Sequence, residues 1–377
     1  MGHPSRAVRS LGLALVAGAA APAHAQVPCA DHGVPVGGAP NWRERGVLVL
    51  SNAVRAAPID YRNQYIGNFP NVLVIYPPQP PLRWNVALGQ AARAHSTDMA
   101  TNFCFQHNSC DGTAWAARIQ SYTGSTCGVV GENIGAFHPT PLAVTNLWLR
   151  DEVSPGVPAA DGTTDGHRAN IMNGTFQDIG IGHAFNLASP FDHYWTQDFA
   201  YDCPPPNSFA CGPLADGTAI RRSATQLEFL ANYWATPGAA PTQSTVVIDG
   251  VPHAMAPYLG TTARGTYRAV LPPSGACRSF YFLFRDAAGG VWRYPARGHL
   301  RTGGDTPCDE TYLAGCPADF NGSGTATTSD ITAFLGAWFG DLAGGTVVAD
   351  FDLSGTVTSA DISAFLGAWF GALAGGC

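Results

Sequence analysis

The sequence predicts an α+β protein built from three folded segments. Apolar residues between 86 and 103 recur at three- and four-residue spacing, which is typical of one face of a helix. Two short runs at 179–185 and 193–199, joined by a polar loop, predict an antiparallel strand pair. The eight residues 333–340 recur at 364–371, which indicates a duplicated C-terminal unit. Helices followed by antiparallel strands favour an α+β layer fold for the first segment.

The first 25 residues have the pattern of a secretory signal peptide. Arg6 and Arg9 precede a short apolar run at 11–21, and an A-x-A cleavage site occupies 23–25. A run this short cannot span about 30 Å of hydrocarbon. We therefore expect a secreted chain that begins at Gln26, without a transmembrane segment, and that is extracellular or held at the cell surface.

Composition narrows the classes of partner. The 20 basic and 27 acidic residues among 377 give 20 − 27 = −7, and every basic residue is Arg. A nucleic-acid partner is not expected, because binding a polyanion requires a basic face. Hydrophobic residues make up 46%, which is enough to form packed cores and excludes a wholly disordered chain.

The cysteine count predicts disulfide bonds. Ten cysteines lie beyond the cleavage site, and the number is even in a chain expected to enter an oxidising compartment. No C-x-x-C pair occurs, which argues against a zinc ribbon. Proximity suggests the pairs Cys104–Cys110, Cys203–Cys211, Cys277–Cys308 and Cys316–Cys377, which leaves Cys29–Cys127.

Two turn-rich breaks, at 204–206 and 302–307, divide the mature chain into segments 42–203, 207–301 and 316–377. In the middle segment, short runs predict strands at 245–248, 265–271, 278–284 and 291–294. Strands at this spacing favour a β-sandwich, and the segment weakly resembles an immunoglobulin or fibronectin type III module. We expect a spacer; the alternative is sugar binding through Trp292, Tyr294 and Tyr281.

The first segment carries five motifs in order. They are Ala94-His-Ser-Thr-Asp-Met99 with Gln106-His107, Gly131-Glu-Asn-Ile134, Gly166-His-Arg-Ala-Asn-Ile171 and Tyr194-Trp-Thr-Gln-Asp-Phe199. On these motifs the segment resembles the CAP superfamily (cysteine-rich secretory, antigen-five and pathogenesis-related proteins), and closely its bacterial branch. The resemblance covers about 160 residues. It implies an α-β-α sandwich with a surface cleft.

The resemblance also implies four cleft residues: His107, Glu132, His167 and an acid three positions after Trp148, which is Asp151. Glu152 is the alternative acid. Two imidazoles and two carboxylates suit Zn²⁺ or a similar ion, with His107 and His167 as ligands, or general acid–base work without metal. The structural alternative is that Glu132 accepts backbone hydrogen bonds and that His167 is a hydrogen-bonded framework residue.

The C-terminal repeat predicts two calcium loops. Oxygen-bearing side chains occupy positions 1, 3, 5, 9 and 12 of each twelve-residue stretch, a backbone carbonyl supplies position 7, and glycine stands at position 6, where a calcium loop turns sharply. The principal ligands are Asp319, Asn321, Ser323, Thr325 and Asp330 in the first loop, and Asp350, Asp352, Ser354, Thr356 and Asp361 in the second. Aspartate at position 12 and serine at position 5 predict moderate affinity, with a Kd of about 10⁻⁵ to 10⁻³ M.

One helix is expected after each loop, so the pair resembles a type I dockerin and makes a small α domain. Apolar stripes run from Ile331 to Phe339 and from Ile362 to Phe370, and they are expected to pack on one another or on a partner. The positions where dockerins usually carry polar and basic residues read Gly-Ala-Trp-Phe, which departs from that family. A cohesin-like protein and a cell-surface component therefore both stand as expected partners.

Three functions follow from these segments. The leading hypothesis is an extracellular binding protein displayed or assembled through its C terminus. The second is a metal-dependent hydrolase acting on peptide or envelope material at the CAP cleft. The third is a component of a polysaccharide-degrading assembly.

Overall fold

The computed structural model describes most of the chain from residue 40 onwards. The described residues are 40–67, 69–124, 127–201, 212–236, 238–274, 277–295, 299–302, 318–320, 326–344, 347–352 and 356–375. The predicted signal peptide lies outside them, as do Asn321, Ser323, Thr325 and Ser354 of the predicted calcium loops.

The first segment is a four-stranded sheet between two layers of helices. The strand order is β1-β5-β6-β2, with β1 parallel to β5 and the other neighbours antiparallel. A one-turn π-helix at Arg62–Ile66 follows α2, and a two-stranded β3–β4 hairpin follows α5. The elements are α1 Trp42–Ala56, α2 Pro58–Tyr61, β1 Arg83–Trp84, α3 Val86–Asn102, α4 Trp115–Thr123, β2 Val130–Ala136, α5 Pro141–Arg150, β3 Glu152–Ser154, β4 Val157–Pro158, α6 Gly166–Met172, β5 Asp178–Asn186 and β6 Asp192–Ala200.

Helix α3 lies directly on the sheet because two strand residues have no side chain. It begins after Asn85, whose side chain accepts a hydrogen bond from the Leu88 N–H at 3.1 Å. A Cβ on Gly180 would lie 2.1 Å from the backbone nitrogen of Gly89, and one on Gly182 would meet the next turn of the helix. The predicted helix at 86–103 and the predicted strand pair are confirmed. The opposite face of β5 and β6 packs on α1 and α5.

The middle segment consists of two antiparallel sheets that share a core. The strand orders are β11-β12-β8-β7 and β10-β9-β13-β14, with β15 paired to β13. Strands expected at 245–248, 265–271, 278–284 and 291–294 correspond to β9, β12, β13 and β14. The elements are β7 Leu214–Ser223, β8 Gln226–Trp234, β9 Gln243–Ile248, β10 Val251–Ala254, β11 Ala256–Gly260, β12 Arg264–Leu271, β13 Arg278–Arg285, β14 Val291–Tyr294 and β15 Leu300–Thr302.

The aromatic residues proposed to stack on sugar in this segment do not form an exposed platform. Tyr281 and Tyr294 are buried. Trp292 packs against the core, and its Nε1 donates a hydrogen bond to Asp286 at 2.8 Å. Two of the three rings are therefore closed to a sugar, and Trp292 is only partly exposed.

The first and middle segments share a buried interface along α1. Ile220, Leu230 and Leu259 of the β11-β12-β8-β7 sheet belong to the same hydrophobic core as α1. Within this interface, the Asp216 carboxylate accepts hydrogen bonds from Asn52 and Asn232, both at 2.7 Å. Burial raises the pKa of Asp216 to about 6. The middle segment is therefore packed onto the first through apolar and polar contacts.

The C-terminal segment is a pair of helices, α7 Thr328–Gly344 and α8 Ser359–Gly375, related by the 31-residue repeat. The rings of Phe334 and Phe365 stack with centroids 4.3 Å apart. Phe339 and Phe370, at the ends of the expected apolar stripes, are 63% and 61% exposed. Each lies five residues, or about 140° of helical rotation, beyond the buried phenylalanine of its own helix.

Each repeat donates an indole N–H hydrogen bond to a backbone carbonyl of the other repeat. Trp338 donates to the Thr358 carbonyl and Trp369 to the Thr327 carbonyl, both at 2.8 Å. The segment between the helices also contacts the middle segment, where the Val347 N–H donates to the Gly250 carbonyl at 3.1 Å.

Candidate functional site

His107 and Glu132 form the first of two histidine–carboxylate pairs. His107 lies in the loop after α3 and its side chain is 49% exposed, while Glu132 lies in β2 and is buried. Nδ1 of His107 is 2.8 Å from Oε1 of Glu132. The second oxygen of Glu132 pairs with the guanidinium of Arg118 from α4. One carboxylate thus connects a surface imidazole to a buried cation.

Three contacts hold the loop that carries His107. The predicted disulfide Cys104–Cys110 is confirmed and encloses the histidine. Arg118 donates to the His107 carbonyl at 3.1 Å and to Ser109 Oγ at 3.1 Å. Cys127 and Cys277 are also disulfide-bonded, whereas each of the other predicted pairs includes at least one cysteine outside the described residues.

His95 of α3 also holds this loop, through a hydrogen bond to its backbone. It is fully buried on α3, and its Nε2 lies 3.0 Å from the Gln106 carbonyl, which can only accept a hydrogen bond. Burial, assisted by the nearby charge of Arg118, lowers the pKa of His95 to about 4. The ring is therefore neutral at pH 7 and carries its proton on Nε2.

Asp198 is a buried acid that the sequence reasoning did not single out. It lies on β6 directly opposite Glu132 on β2, so both side chains project from the same face of the sheet. Burial, together with the neighbouring charge of Glu132, raises the pKa of Asp198 well above its usual value. The environment of Asp198 therefore favours the protonated form of its carboxyl group. Its sequence signal was present in the Tyr194–Phe199 motif, but its pairing depends on strand register.

His167 and Asp151 form the second pair. Nδ1 of His167 is 2.7 Å from Oδ1 of Asp151, and the His167 backbone N–H donates to Oδ2 at 2.9 Å. Asp151 ends α5 in the left-handed region, with φ of 46°, and this conformation presents its carboxylate to the first turn of α6. Glu152, the alternative acid, pairs with Arg150 at 3.0 Å instead.

Two side-chain amides, one buried and one half-buried, connect the two pairs. Asn133, next to Glu132, donates to the His167 carbonyl at 3.0 Å. Asn170 of α6 donates to the Glu132 carbonyl at 3.2 Å and to Asn133 Oδ1 at 2.9 Å. The four predicted cleft residues are thus brought together as two pairs on neighbouring elements, β2 and α6.

The arrangement leaves one nitrogen of each histidine available. Since Nδ1 is engaged by a carboxylate in both pairs, Nε2 is the free position, and the His167 side chain is 35% exposed. A carboxylate on the far nitrogen is the usual outer-shell partner of a metal-binding histidine. In the described part of the chain, however, the groups of three or more ligand atoms within 4.8 Å of one another do not include these four residues.

The predicted calcium residues present a second candidate centre. Carboxylate oxygens of Asp350, Asp352 and Asp361 all lie within 4.8 Å of one another. The Asp352 N–H donates to Asp361 Oδ1 at 3.0 Å, and Asp361 Oδ2 accepts from the Thr358 N–H at 2.7 Å. In the first loop, Asp330 accepts the corresponding bond from the Thr327 N–H at 2.7 Å.

Comparison with known proteins identifies the first segment. Residues 61–199 match the profile of the cysteine-rich secretory protein family, CAP. The uncharacterized protein YkwD of Bacillus subtilis is 31% identical over 119 residues, which is 32% of this chain and 39% of that protein. The match therefore spans well under half of the relative. Residues 61–199 form a CAP domain.

Two solved structures share part of their length with this chain. An extracellular protein containing an SCP domain from Bacillus anthracis is 28% identical, covering 33% of this chain and 34% of its own, with a TM-score of 0.26. An outer surface protein of Borrelia burgdorferi is 18% identical, covering 32% and 77%, also with a TM-score of 0.26. Across the described residues, the helices are too short or too polar to traverse a bilayer.

Proposed function

We propose that this chain is a secreted binding protein. In this proposal, its CAP cleft holds a divalent cation, best matched by Zn²⁺, through His107 and His167, and its C-terminal repeats bind Ca²⁺ and attach it to an extracellular partner. The observation that supports the cleft proposal is the pairing of two partly exposed histidines, each held at Nδ1 by a carboxylate. The A-x-A site and the disulfide around His107 support secretion.

Zinc fits the donor set of the cleft. Neutral imidazole is a preferred zinc ligand, and a carboxylate at the other ring nitrogen orients the ring and raises the basicity of the free nitrogen. Both pairs satisfy this requirement without using the exposed Nε2 positions. The cation bound there would present open coordination positions to a ligand.

Ligand binding is favoured over hydrolysis by the ligand count. A catalytic zinc is usually held by three protein ligands, whereas the cleft offers two histidines whose carboxylates already serve as their partners. The hydrolase proposal would gain support from turnover of a peptide, ester or glycan that is lost when His107 or His167 is replaced.

The cleft proposal is tested by zinc titration calorimetry on the full mature chain. We expect saturable binding that is abolished in the double variant His107→Ala/His167→Ala and retained in His253→Ala, a histidine of the middle segment. Equal binding in the double variant would contradict the proposal, since zinc would then be held elsewhere. Circular dichroism on each variant separates loss of binding from loss of fold.

Calcium fits the C-terminal loops because the predicted ligands are hard oxygens at the required sequence spacing, and the carboxylates of Asp350, Asp352 and Asp361 in the second loop lie together. The second loop carries aspartate at position 3, where the first has Asn321, and should bind more tightly because of its additional carboxylate. The second loop would therefore fill at a lower calcium concentration than the first.

Chelation tests this part of the proposal. Scanning calorimetry with calcium or with EDTA should show that EDTA lowers the transition of residues 316–377 and leaves the CAP transition in place. Asp350→Asn should mimic EDTA more strongly than Asp319→Asn. A CAP transition that shifts as far as the C-terminal one would contradict the proposal.

Attachment is proposed for the exposed apolar face of the repeats, where Phe339 and Phe370 project. The partner would be a cell-surface component or a cohesin-like protein, as in a polysaccharide-degrading assembly. Retention on isolated cell envelopes should require calcium and should fall in Phe339→Ser/Phe370→Ser. Retention that is unchanged by both treatments would argue against attachment through the repeats.

A further inference from the structure

A polar groove lies beside the His107 loop and outside the four-residue cleft. It has a volume of about 770 Å³, within the usual range for small-molecule sites. Helix α3 contributes one wall, α4 the second, and the disulfide loop the third. Its lining residues are Ala94, Asp98, Asn102, Cys104, Ser109, Cys110, Asp111, Thr113, Arg118, Ser121 and Tyr122.

We propose that this groove binds an oligosaccharide made of neutral or amino sugars. This goes beyond the proposed cation site, and it does not depend on metal at His107 and His167. The inference combines three features of the groove: the chemistry of its lining, the sign of its charge and the rigidity of its walls.

The lining chemistry excludes an apolar ligand. Among the lining residues there is no Leu, Ile, Val, Met or Phe, so a lipid or an apolar peptide side chain would find no complementary surface. Hydroxyl, amide and carboxylate groups alternate instead, and one aromatic ring, Tyr122, is 43% exposed at the groove. Hydroxyl-rich rings with apolar C–H faces match a polar wall with a single aromatic platform.

The charge of the groove excludes an anionic ligand. Asp98 and Asp111 contribute two carboxylates, while the guanidinium of Arg118 is already paired with Glu132. Oδ2 of Asp98 accepts from the Cys110 N–H at 2.8 Å and Oδ1 from Asn102 Nδ2 at 2.7 Å, which fixes the acceptor at the junction of two walls. A neutral sugar or a protonated amino sugar is therefore favoured over a phosphate or a uronic acid.

The groove is built from restrained parts. The disulfide closes the third wall and the Asp98 contact ties that wall to α3. Arg118 anchors Ser109 to α4 at 3.1 Å. Because the walls are held before a ligand arrives, little ordering cost opposes binding. Arg118 also contacts the His107 carbonyl, so the groove adjoins the cleft and a longer ligand would reach both.

The test uses the full mature chain in calcium buffer with four tetrasaccharide probes: chitotetraose, its deacetylated form, cellotetraose and tetragalacturonate. Saturation-transfer NMR identifies contacts and calorimetry measures affinity. We expect at least one of the first three to bind, with tetragalacturonate weaker by about tenfold or more because of the two carboxylates. Failure of the first three to bind at millimolar concentration would overturn the proposal.

Matched variants locate the site. Tyr122→Ala and Asn102→Ala should each weaken binding about tenfold, which is about 1.4 kcal/mol, since each removes a stacking surface or a hydrogen-bonding group. Tyr201→Ala removes a similarly exposed tyrosine outside the groove, and should change nothing. Binding that survives both groove variants, or that falls equally in Tyr201→Ala, would overturn the assignment.

The same samples separate this inference from the proposed cation site. His107→Ala/His167→Ala should still bind the tetrasaccharide, while Tyr122→Ala should still bind zinc. Absence of zinc binding by the unaltered chain, with sugar binding present, would contradict the cleft proposal and leave the groove intact. Loss of sugar binding in the histidine variant would show that the ligand sits in the cleft, and would overturn the groove.

Discussion

The two histidine–carboxylate pairs have the same local geometry but opposite surroundings. Glu132 is buried against Arg118 and Asp198, so the first pair is the surface end of a buried charge cluster. Asp151 is held instead by its own helix end and by a backbone N–H of α6. The first pair is therefore coupled to the stability of the domain, whereas the second can be altered with little effect on folding.

Removing the buried cation should have the largest effect. In Arg118→Met, Glu132 and Asp198 would face each other in the core without a positive charge. We expect a loss of about 3–5 kcal/mol in the free energy of unfolding, measured by urea denaturation.

The matched control for that variant is Arg150→Met. Arg150 pairs with Glu152 beside the second histidine pair, and both side chains are partly exposed. We expect a change within about 0.5 kcal/mol. A loss comparable to that of Arg118→Met would show that the two pairs do not differ in their coupling to the fold.

Opening the disulfide should weaken the first pair selectively. Cys104→Ala/Cys110→Ala removes a loop closure over a sequence separation of six residues, which corresponds to about 2 kcal/mol of chain entropy. Thermal denaturation measures this loss. In NMR spectra, the His107 ring signals should broaden or shift while those of His167 stay in place. Equal perturbation of the His107 and His167 rings would contradict the expectation that the disulfide supports only the first pair.

Much of the scaffold, but only part of this cluster, could be predicted from the sequence. Helix α3 and strands β5 and β6 were predicted because each has a clear apolar period over many residues. Arg118 lies on helix α4, which is only nine residues long and was not among the predicted elements. Asp198 meets Glu132 only through the register of β2 against β6. Contacts between buried charges of this kind depend on which elements pair and in which register. The local spacing of residues in the sequence does not reveal that pairing.

The interface between the first and middle segments illustrates the same limit. Asn52 and Asp216 are separated by 164 residues, and neither belongs to a recognisable motif. The Pro204–Pro206 break predicted a segment boundary, but composition contains no information on whether segments pack together. In contrast, the helix that follows each C-terminal loop could be predicted, because two copies at a fixed offset reveal which positions share a role.

Changing the second carboxylate should affect binding rather than folding. Asp151→Asn keeps the side-chain size but removes the charge that orients His167. If the cleft holds zinc, affinity should fall about 10- to 100-fold, as for other outer-shell partners of ligating histidines. Glu152→Gln serves as the control and should leave affinity unchanged. An unaltered affinity in Asp151→Asn would show that this pair does not position a metal ligand.

Replacing Asp198 with asparagine should change the free energy of unfolding least at acid pH. At higher pH the replacement should stabilise the domain, whereas most substitutions of buried residues destabilise it. The pKa of Asp198 in the folded protein is raised above the unfolded value, because burial and Glu132 disfavour its charge. The folded state therefore holds a proton that the unfolded chain releases, and this group lowers stability as pH rises through the interval between those two values.

Asp198→Asn is permanently neutral and does not lose stability in that way. Relative to the wild type, the variant should gain stability as the pH rises above about 4, the usual pKa of an aspartate, as measured by urea unfolding at each pH. A stability difference that does not vary with pH would show that Asp198 is ionised beside Glu132 in the folded protein, and that Arg118 balances two charges rather than one.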